Sequence, residues 1–528
     1  MVRATVPEAP VDEYRYARPR EEHVWAKSWR YSAPDSIAKS HRVKRLPERQ
    51  LRYGTGLAST GQVASAGCGD PGLGYSFCHP ADPSSYGVIR AMMHPMRKSP
   101  GSDSAESLKF IDLFAGIGGF HIALTQELGA ECVFASDIDD DCRSVYEHNF
   151  DFPVNGDIRP LTEGPDVQIP DHDILCAGFP CQAFSKSGLQ RGINETRGTL
   201  FYNILRILEA KRPRYAILEN VRNLAGPRHR ETWQTIISQL RALGYRVADE
   251  PVVFSPHLLP PAPYPVLSGA PQVRERVFIL CERVESPVSD AELRMPPLVA
   301  NVAVPGWSPS SWDVDRMLQP DAEIPNIDKY RLRPQELRWL EVWNDFLGAI
   351  PADAKLPGFP IWVDAFVDEP DIPRDTPDWK ADFLRKNSDF YRLHKTAIDG
   401  WLQRNGYLAD FPSSRRKFEW QAQDSTRDVW KLVIHLRPSG IRVKRGTYLP
   451  ALVAITQTSI IGSRRRRITP REAARLQGFP DSFRLHPDDS VAYRQLGNAV
   501  NVGVVRYVTR MLIEASQARE VGPLELAS

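Results

Sequence analysis

The 528 residues are 42% hydrophobic and 25% charged, with a net charge of +2. This is the make-up of a globular chain with room for about two to four domains. No apolar run of about 18 residues occurs, which excludes a membrane-spanning helix. Met1–Pro7 carries no apolar signal core, so a cytoplasmic protein is expected rather than a secreted one. Cys68, Cys78, Cys132, Cys142, Cys176, Cys181 and Cys281 are odd in number and lack paired metal spacing, so reduced thiols and no metal site are expected.

Residues 1–105 are rich in Arg, Pro, Ser and Gly without sustained periodicity, and are expected to be disordered or loosely structured. Order is predicted to begin at Leu108–Phe114, a buried-strand pattern. The turn Ala115–Gly119 and a helical run to Leu128 follow. Strand, glycine turn and helix bring a ligand close to backbone and to a helix N-terminus, which marks Phe114, Gly116 and Gly118. The next strand, Glu131–Ser136, ends in Asp137-Ile138, where a carboxylate suits ribose hydroxyls. Asp157-Ile158 supplies a further acidic position, which either meets an adenine amine or caps a turn. Nicotinamide, flavin and S-adenosylmethionine fit these residues equally, and a glycine that merely packs helix on strand stays open.

A strand pattern over Asp173–Gly178 runs into Phe179-Pro180-Cys181. Proline stiffens this loop, and an activated nucleophile and a buried structural thiol are level readings of Cys181. Tyr215–Leu218 ends in Glu219-Asn220-Val221, where the carboxylate is either a site residue or an ion-pair partner. A helix over Glu231–Leu243 stops at Gly244. Gln272–Leu280, read as one strand, puts Arg274 and Arg276 on the same face, either solvated or holding a base oxygen and a phosphate. The alternation to about residue 283 predicts an α/β fold with a doubly wound, mostly parallel sheet.

Residues 286 to about 457 lose that alternation. Arg333–Leu347 reads as an amphipathic helix with Leu337, Leu340 and Trp343 facing a core. Tyr391–Gln421 mixes basic and aromatic residues, which suits nucleic-acid contact or a small domain with its own core. A hairpin is expected around Pro438-Ser439-Gly440. The run Arg464–Arg467 is either a solvated face or a phosphate contact. Thr469-Pro470 with Glu472 is a capping-box signature, and Gly497-Asn498-Ala499-Val500 leads into an apolar helix ending near Ile513.

Together these stretches resemble the DNA (cytosine-5)-methyltransferase family of bacterial restriction–modification type, over about residues 108–283 and 463–513 and in the family's order. Phe114–Gly119 is similar to its cofactor motif, Gly178–Gln182 to its nucleophile motif and Glu219–Val221 to its acid motif. Gln272–Arg276 is similar to its arginine motif, Pro470–Pro480 to the motif flanking target recognition, and Gly497–Val500 to the closing motif. The resemblance implies a Rossmann-like S-adenosylmethionine-dependent fold. Its catalytic and cofactor-binding domain would span 106–285, a smaller irregular α+β target recognition domain 286–462, and a return segment 463–528. It implies that S-adenosylmethionine is held by Phe114, Gly116, Gly118, Asp137, Ile138, Asp157, Ile158, Pro180 and Asn498. Cys181 would add as a thiolate to carbon 6 of cytosine, Glu219 would serve nitrogen 3, Arg276 the ring oxygen, and Arg274 would position Cys181 or a phosphate. The cytosine would be flipped out of the duplex, with Gln190 or Arg191 filling the gap. The implied partner is double-stranded DNA, with a cognate restriction endonuclease acting separately and the enzyme a monomer.

A tRNA cytosine-5 methyltransferase shares the Pro-Cys-Gln and Glu-Asn-Val motifs, but the long 286–457 region favours reading a duplex. A catalytically silent DNA-binding homologue is disfavoured by intact Cys181, Glu219 and Arg276. A nicotinamide oxidoreductase leaves those residues unexplained. If the folded enzyme begins near Ser107, a chain starting at Met96 keeps its methyltransferase activity, and loss of activity would show that the preceding residues are required.

Overall fold

The computed structural model describes residues 107–180, 200–261, 268–287, 289–299, 306–423, 425–452 and 458–521. The expectation for residues 1–105, and the positions Cys181, Gln190 and Arg191, lie outside these.

The first sheet starts with four parallel strands: β1 (Lys109–Leu113), β2 (Glu131–Ser136), β3 (Ile174–Gly178) and β4 (Tyr215–Val221), in the order β2-β1-β3-β4. Helices α1 (Gly119–Leu128), α2 (Asp140–Phe150) and α3 (Leu200–Lys211) join them, and α4 (Arg230–Ala242) follows β4. The sequence separates the two faces by alternation. Phe110, Cys176 and Ile217 pack in one core, and their neighbours Ile111, Leu175 and Leu218 in another. The first core includes Phe120 and Leu124 of α1 together with Val505, Val508 and Leu512 of the last helix, Val502–Val521. The second is filled by α3 and α4 through residues such as Phe201, Ile204, Trp233 and Leu240. Both faces of the strands are therefore buried, as a parallel sheet requires.

Beyond β4 the direction changes. β5 (Tyr245–Ala248), β6 (Val252–Phe254), β7 (Gln272–Val273), β8 (Arg276–Arg283) and β9 (Arg294–Met295) complete this part, and β8 runs antiparallel to β4, β5 and β6. Among the described residues no α-helix lies between β6 and β8, and a parallel return would need a crossover. The expected single strand Gln272–Leu280 is likewise two strands. β7 pairs with Leu449–Pro450, Gln272 beside Leu449 and Val273 beside Pro450, while β8 pairs with β4. Arg274 sits in the break and is buried, whereas Arg276 is half-buried, so the two do not share one strand face.

The second region forms its own sheet. Strands β10 (Ile361–Trp362), β11 (Lys417–Gln421), β12 (Val433–Arg437), β13 (Gly440–Lys444), β15 (Ile460–Ile461) and β16 (Arg466–Arg467) lie in the order β10-β11-β13-β12-β15-β16, while β14 (Leu449–Pro450) is the partner of β7. β12 and β13 are the expected hairpin. The expected amphipathic helix is present as α5 (Pro334–Ala349), followed by α6 (Asp378–Leu393) and α7 (Lys395–Arg404). Trp343 of α5 stacks on Phe418 at 4.7 Å between centroids and lies 5.4 Å from Trp401. Both indole nitrogens donate to carbonyls, Trp343 to Arg415 at 2.8 Å and Trp401 to Val342 at 3.0 Å. The aromatic residues between Tyr391 and Gln421 thus build a core.

An ion-pair network ties β16, at the edge of the second sheet, to Asp321, Glu336 and Glu472. Arg466 and Glu472 are both fully buried and bidentate, at 2.9 and 2.8 Å, and Arg466 Nε reaches Asp321 at 2.9 Å. Arg467 pairs with Glu336 at 2.8 Å. This half of the arginine run is therefore neither solvated nor free for phosphate. Glu472 also completes the capping box with Thr469 at the start of α8 (Pro470–Leu476). Losing one partner of a buried pair strands the other charge. Arg466→Met is expected to lower the unfolding free energy in urea by about 3–5 kcal/mol, and a change within experimental error would contradict this role.

Candidate active site

The site lies at the C-terminal ends of β1 to β4, where an open α/β sheet places its ligands. After β1 the backbone turns through Phe114 (φ 56°), Gly116 (φ 56°) and Gly118 (φ 86°) into α1. A Cβ at Gly118 would lie 2.2 Å from the Phe150 ring, and one at Gly119 would lie 2.6 Å from Val500, so glycine is required here by approach as well as by angle. Asp137, at the end of β2, accepts from the amides of Gly116 (2.7 Å) and Asp139 (2.9 Å). The carboxylate that the sequence marks for a ribose also fixes the turn. Burial raises its pKa, against the lowering effect of those amides.

A cleft of about 740 Å³ opens on this turn, lined by Phe114, Asp137, Ile138, Asp157, Ile158 and Pro180 among others. Ile138 is 70% exposed, an uncovered apolar side chain beside two carboxylates. Apolar surface for a flat base and acidic acceptors for hydroxyls and an amine are the donor set that an adenosine-bearing cofactor needs, so these residues fit S-adenosylmethionine. Asp157 is partly engaged, since Arg159 Nε donates to it at 2.8 Å and holds its pKa down. Gly116 and Gly118 shape the turn without lining the cleft. Asn498, exposed at the end of the helix Asp489–Asn498, also lies off that lining. Ser136, Leu200 and Asn203 line the cleft but were not anticipated, since they sit at ordinary element ends with no local signal.

Parallel pairing sets Gly178 of β3 beside Glu219 of β4, and antiparallel pairing sets Val221 beside Arg276 of β8. Glu219 therefore faces the loop that leads into Pro180-Cys181. Glu219 is buried and pairs with Arg276 Nε at 2.9 Å. Burial raises its pKa, while Arg276 and then Arg274 oppose the rise. Such a carboxyl is poised to hold or give a proton. Asn220, whose role was not anticipated, donates from Nδ2 to the Phe179 carbonyl at 2.8 Å and so fixes the start of the cysteine loop.

Arg274 is expected to position Cys181 or a phosphate; Cys181 lies outside the described residues, and the arginine's terminal nitrogens are engaged by backbone. It is 1% exposed, and its terminal nitrogens donate to the carbonyls of Leu452 (3.1 Å), Gly497 (2.9 Å) and Ala499 (2.7 Å). Burial, with Arg276 nearby, pushes its pKa down to about 9.

Comparison with known proteins gives the family. Residues 108–338 and 370–514 match the family described as C-5 cytosine-specific DNA methylase. The Type II methyltransferase M.AluI of Cellulosimicrobium cellulans is 42% identical over 78% of this chain and 92% of its own length. M.HhaI of Haemophilus parahaemolyticus is 31% identical over 76% and 93%, and M.BanI of Aneurinibacillus aneurinilyticus is 32% identical over 80% and 99%. The match over residues 108–338 and 370–514 makes the protein a methyltransferase. The chain belongs to the C-5 cytosine-specific DNA methylase family and is a DNA (cytosine-5)-methyltransferase.

Glu219→Gln removes the ionisable proton while keeping shape, and is expected to lower kcat by about 10²–10⁴-fold in a methyl-transfer assay with duplex DNA. Undiminished kcat would exclude Glu219 from the chemistry.

Proposed function

We propose that the enzyme methylates carbon 5 of one cytosine in a specific double-stranded DNA sequence, as the modification enzyme of a restriction–modification system. The buried Glu219–Arg276 pair beside the cysteine loop carries this reading. Cys181 adds as a thiolate to carbon 6, which turns carbon 5 into an enamine-like nucleophile. Negative charge entering the ring is relieved at nitrogen 3 by a proton held on Glu219, whose burial favours the protonated form. Arg276 holds the ring oxygen and keeps Glu219 oriented, and Asn220 holds the loop that presents Cys181. Bound S-adenosylmethionine supplies the electrophilic methyl group. The residues to hold it are Phe114, Asp137, Ile138, Asp157, Ile158 and Pro180 around the cleft, with the Gly116 and Gly118 turn behind and Asn498 at the closing helix. A water takes the carbon 5 proton, the carbon 5–carbon 6 double bond re-forms and the carbon 6–sulfur bond breaks to release the Cys181 thiolate.

A stacked base does not reach a buried carboxyl at a strand end, so the cytosine is taken out of the helix, at a cost of a few kcal/mol. Gln190 or Arg191 fills the space. Residues 106–285 and 463–528 supply chemistry and cofactor contacts, and 286–462 serve as the target recognition domain. The enzyme acts as a cytoplasmic monomer, with any cognate endonuclease working separately.

Cys181→Ala is expected to abolish methyl transfer to duplex DNA while cofactor binding by calorimetry persists. Undiminished methylation would sink the cysteine mechanism. Transfer by the wild type to tRNA and not to duplex would replace the DNA reading.

A further inference from the structure

Ser255 follows β6 and stands at the head of the single helical turn Pro256–Leu258. A serine so placed ordinarily caps its own turn with its hydroxyl. Here it does not. Ser255 is buried, and its Oγ accepts instead from the amide of Arg274 at 2.9 Å, in the break before β8. The register of β6 on β8 sets Phe254 beside Arg276. The diverted hydroxyl therefore holds the chain two residues before the arginine that pairs with Glu219 at 2.9 Å.

A hydroxyl that accepts one bond must still place its own proton. Two acceptors are in range, Nδ1 of His257 at 2.8 Å and the Gln272 carbonyl at 3.5 Å. The shorter contact takes the proton, which leaves the ring hydrogen of His257 on Nε2. Burial lowers the pKa of His257, against the opposing pull of Glu275, so near neutral pH the ring is in the form that accepts.

His257 is held from its other side by the second region. Its carbonyl accepts from Trp312 Nε1 at 3.1 Å, and its ring meets Tyr448 edge to face at 5.0 Å. Tyr448 immediately precedes β14, whose Leu449 and Pro450 pair with Gln272 and Val273. Contacts thus run from Trp312 and Tyr448 to His257, from His257 to Ser255, and from Ser255 to the Arg274 amide. Neither His257 nor Ser255 lines the cofactor cleft, so this chain of contacts serves the Glu219–Arg276 side of the site.

We propose that His257 is a positioning residue for methyl transfer: by taking the Ser255 proton it holds the break before β8 where Arg276 meets Glu219, and Trp312 and Tyr448 keep its ring in that place. The proposal rests on the reading of Glu219 and Arg276 as the groups that serve the cytosine ring. Such groups must be held to within about 0.5 Å of their working geometry. A slackened break therefore costs rate before it costs binding.

The test uses the full chain as wild type, His257→Phe, His257→Asn and Glu219→Gln, with kcat and KM for duplex DNA and for S-adenosylmethionine measured over a pH series. Phenylalanine keeps a ring against Tyr448 and removes the acceptor. Asparagine returns an oxygen near the place of Nδ1. His257→Phe is expected to lower kcat about tenfold or more with both KM values unchanged. Arg276 opposes the raised pKa of Glu219, so a loosened Arg276 lets that pKa rise further. The limb of kcat that reports loss of the Glu219 proton then moves to higher pH. His257→Asn is expected to restore both kcat and the limb, and since asparagine does not titrate, the restored limb belongs to Glu219. Wild-type kcat and pH profile in His257→Phe would overturn the proposal, and so would a loss that His257→Asn leaves unrepaired. If His257→Phe fails to fold, read by circular dichroism, Ser255→Ala against Ser255→Thr decides: a lower kcat with a shifted limb in the alanine variant alone supports the proposal, and equal behaviour of the two overturns it. Undiminished kcat in Glu219→Gln overturns the reading of the site and this inference with it, whereas a slow Glu219→Gln beside an unaffected His257→Phe overturns the inference alone.

Discussion

A guanidinium buried in a break between two strands holds this enzyme together. Arg274 interrupts what would otherwise be one strand, and its donors reach carbonyls from two distant parts of the chain, Leu452 just after β14 and Gly497 and Ala499 at the closing turn. Burying such a charge is costly unless its donors are matched. The carbonyls take the two terminal nitrogens, while Nε has no hydrogen-bond partner among the described residues, and these bonds tie the segments around Leu452 and Gly497–Ala499 to the break between β7 and β8. The amide of Arg274 is itself tied to Ser255 Oγ at 2.9 Å, so the segment is held from the sheet side as well.

From that anchor the chemistry follows two residues on. Arg276 begins β8, and the antiparallel register of β8 on β4 brings its side chain to Glu219. The parallel register of β4 on β3 brings Glu219 to the start of the cysteine loop. A carboxyl whose burial raises its pKa, steadied by a single close cation, is the kind of group that stabilises charge developing in a ring. The cleft lined by Phe114, Asp137 and Asp157 opens on the same sheet edge.

What could be read from sequence was what is local. The turn at Gly116 and Gly118, the strand-end positions of Asp137 and Glu219, and the capping box of Thr469 and Glu472 each depend on a few adjacent residues. What escaped depends on distant partners. Arg274 and Arg276 looked like one strand face because nothing nearby shows that Gln272-Val273 pairs with Leu449-Pro450. Arg466 looked like surface because its partners Asp321 and Glu472 come from different elements. The aromatic residues around Trp401 and Phe418 read equally well as a binding surface until Trp343 is seen stacked on Phe418. Asn220 lay within a recognised motif, yet its task is defined by a carbonyl on the neighbouring strand's loop.

The two sheets differ in what they hold: the first places Glu219 and Asp137 at its strand ends, and the second is built on a separate aromatic core. The most direct measurement is bisulfite sequencing of DNA and tRNA from cells that express the protein. Cytosines that resist conversion are expected in DNA, within one recurring sequence and absent from cells lacking the protein. Complete conversion of the DNA, or resistant cytosines confined to tRNA, would contradict a sequence-specific DNA methyltransferase.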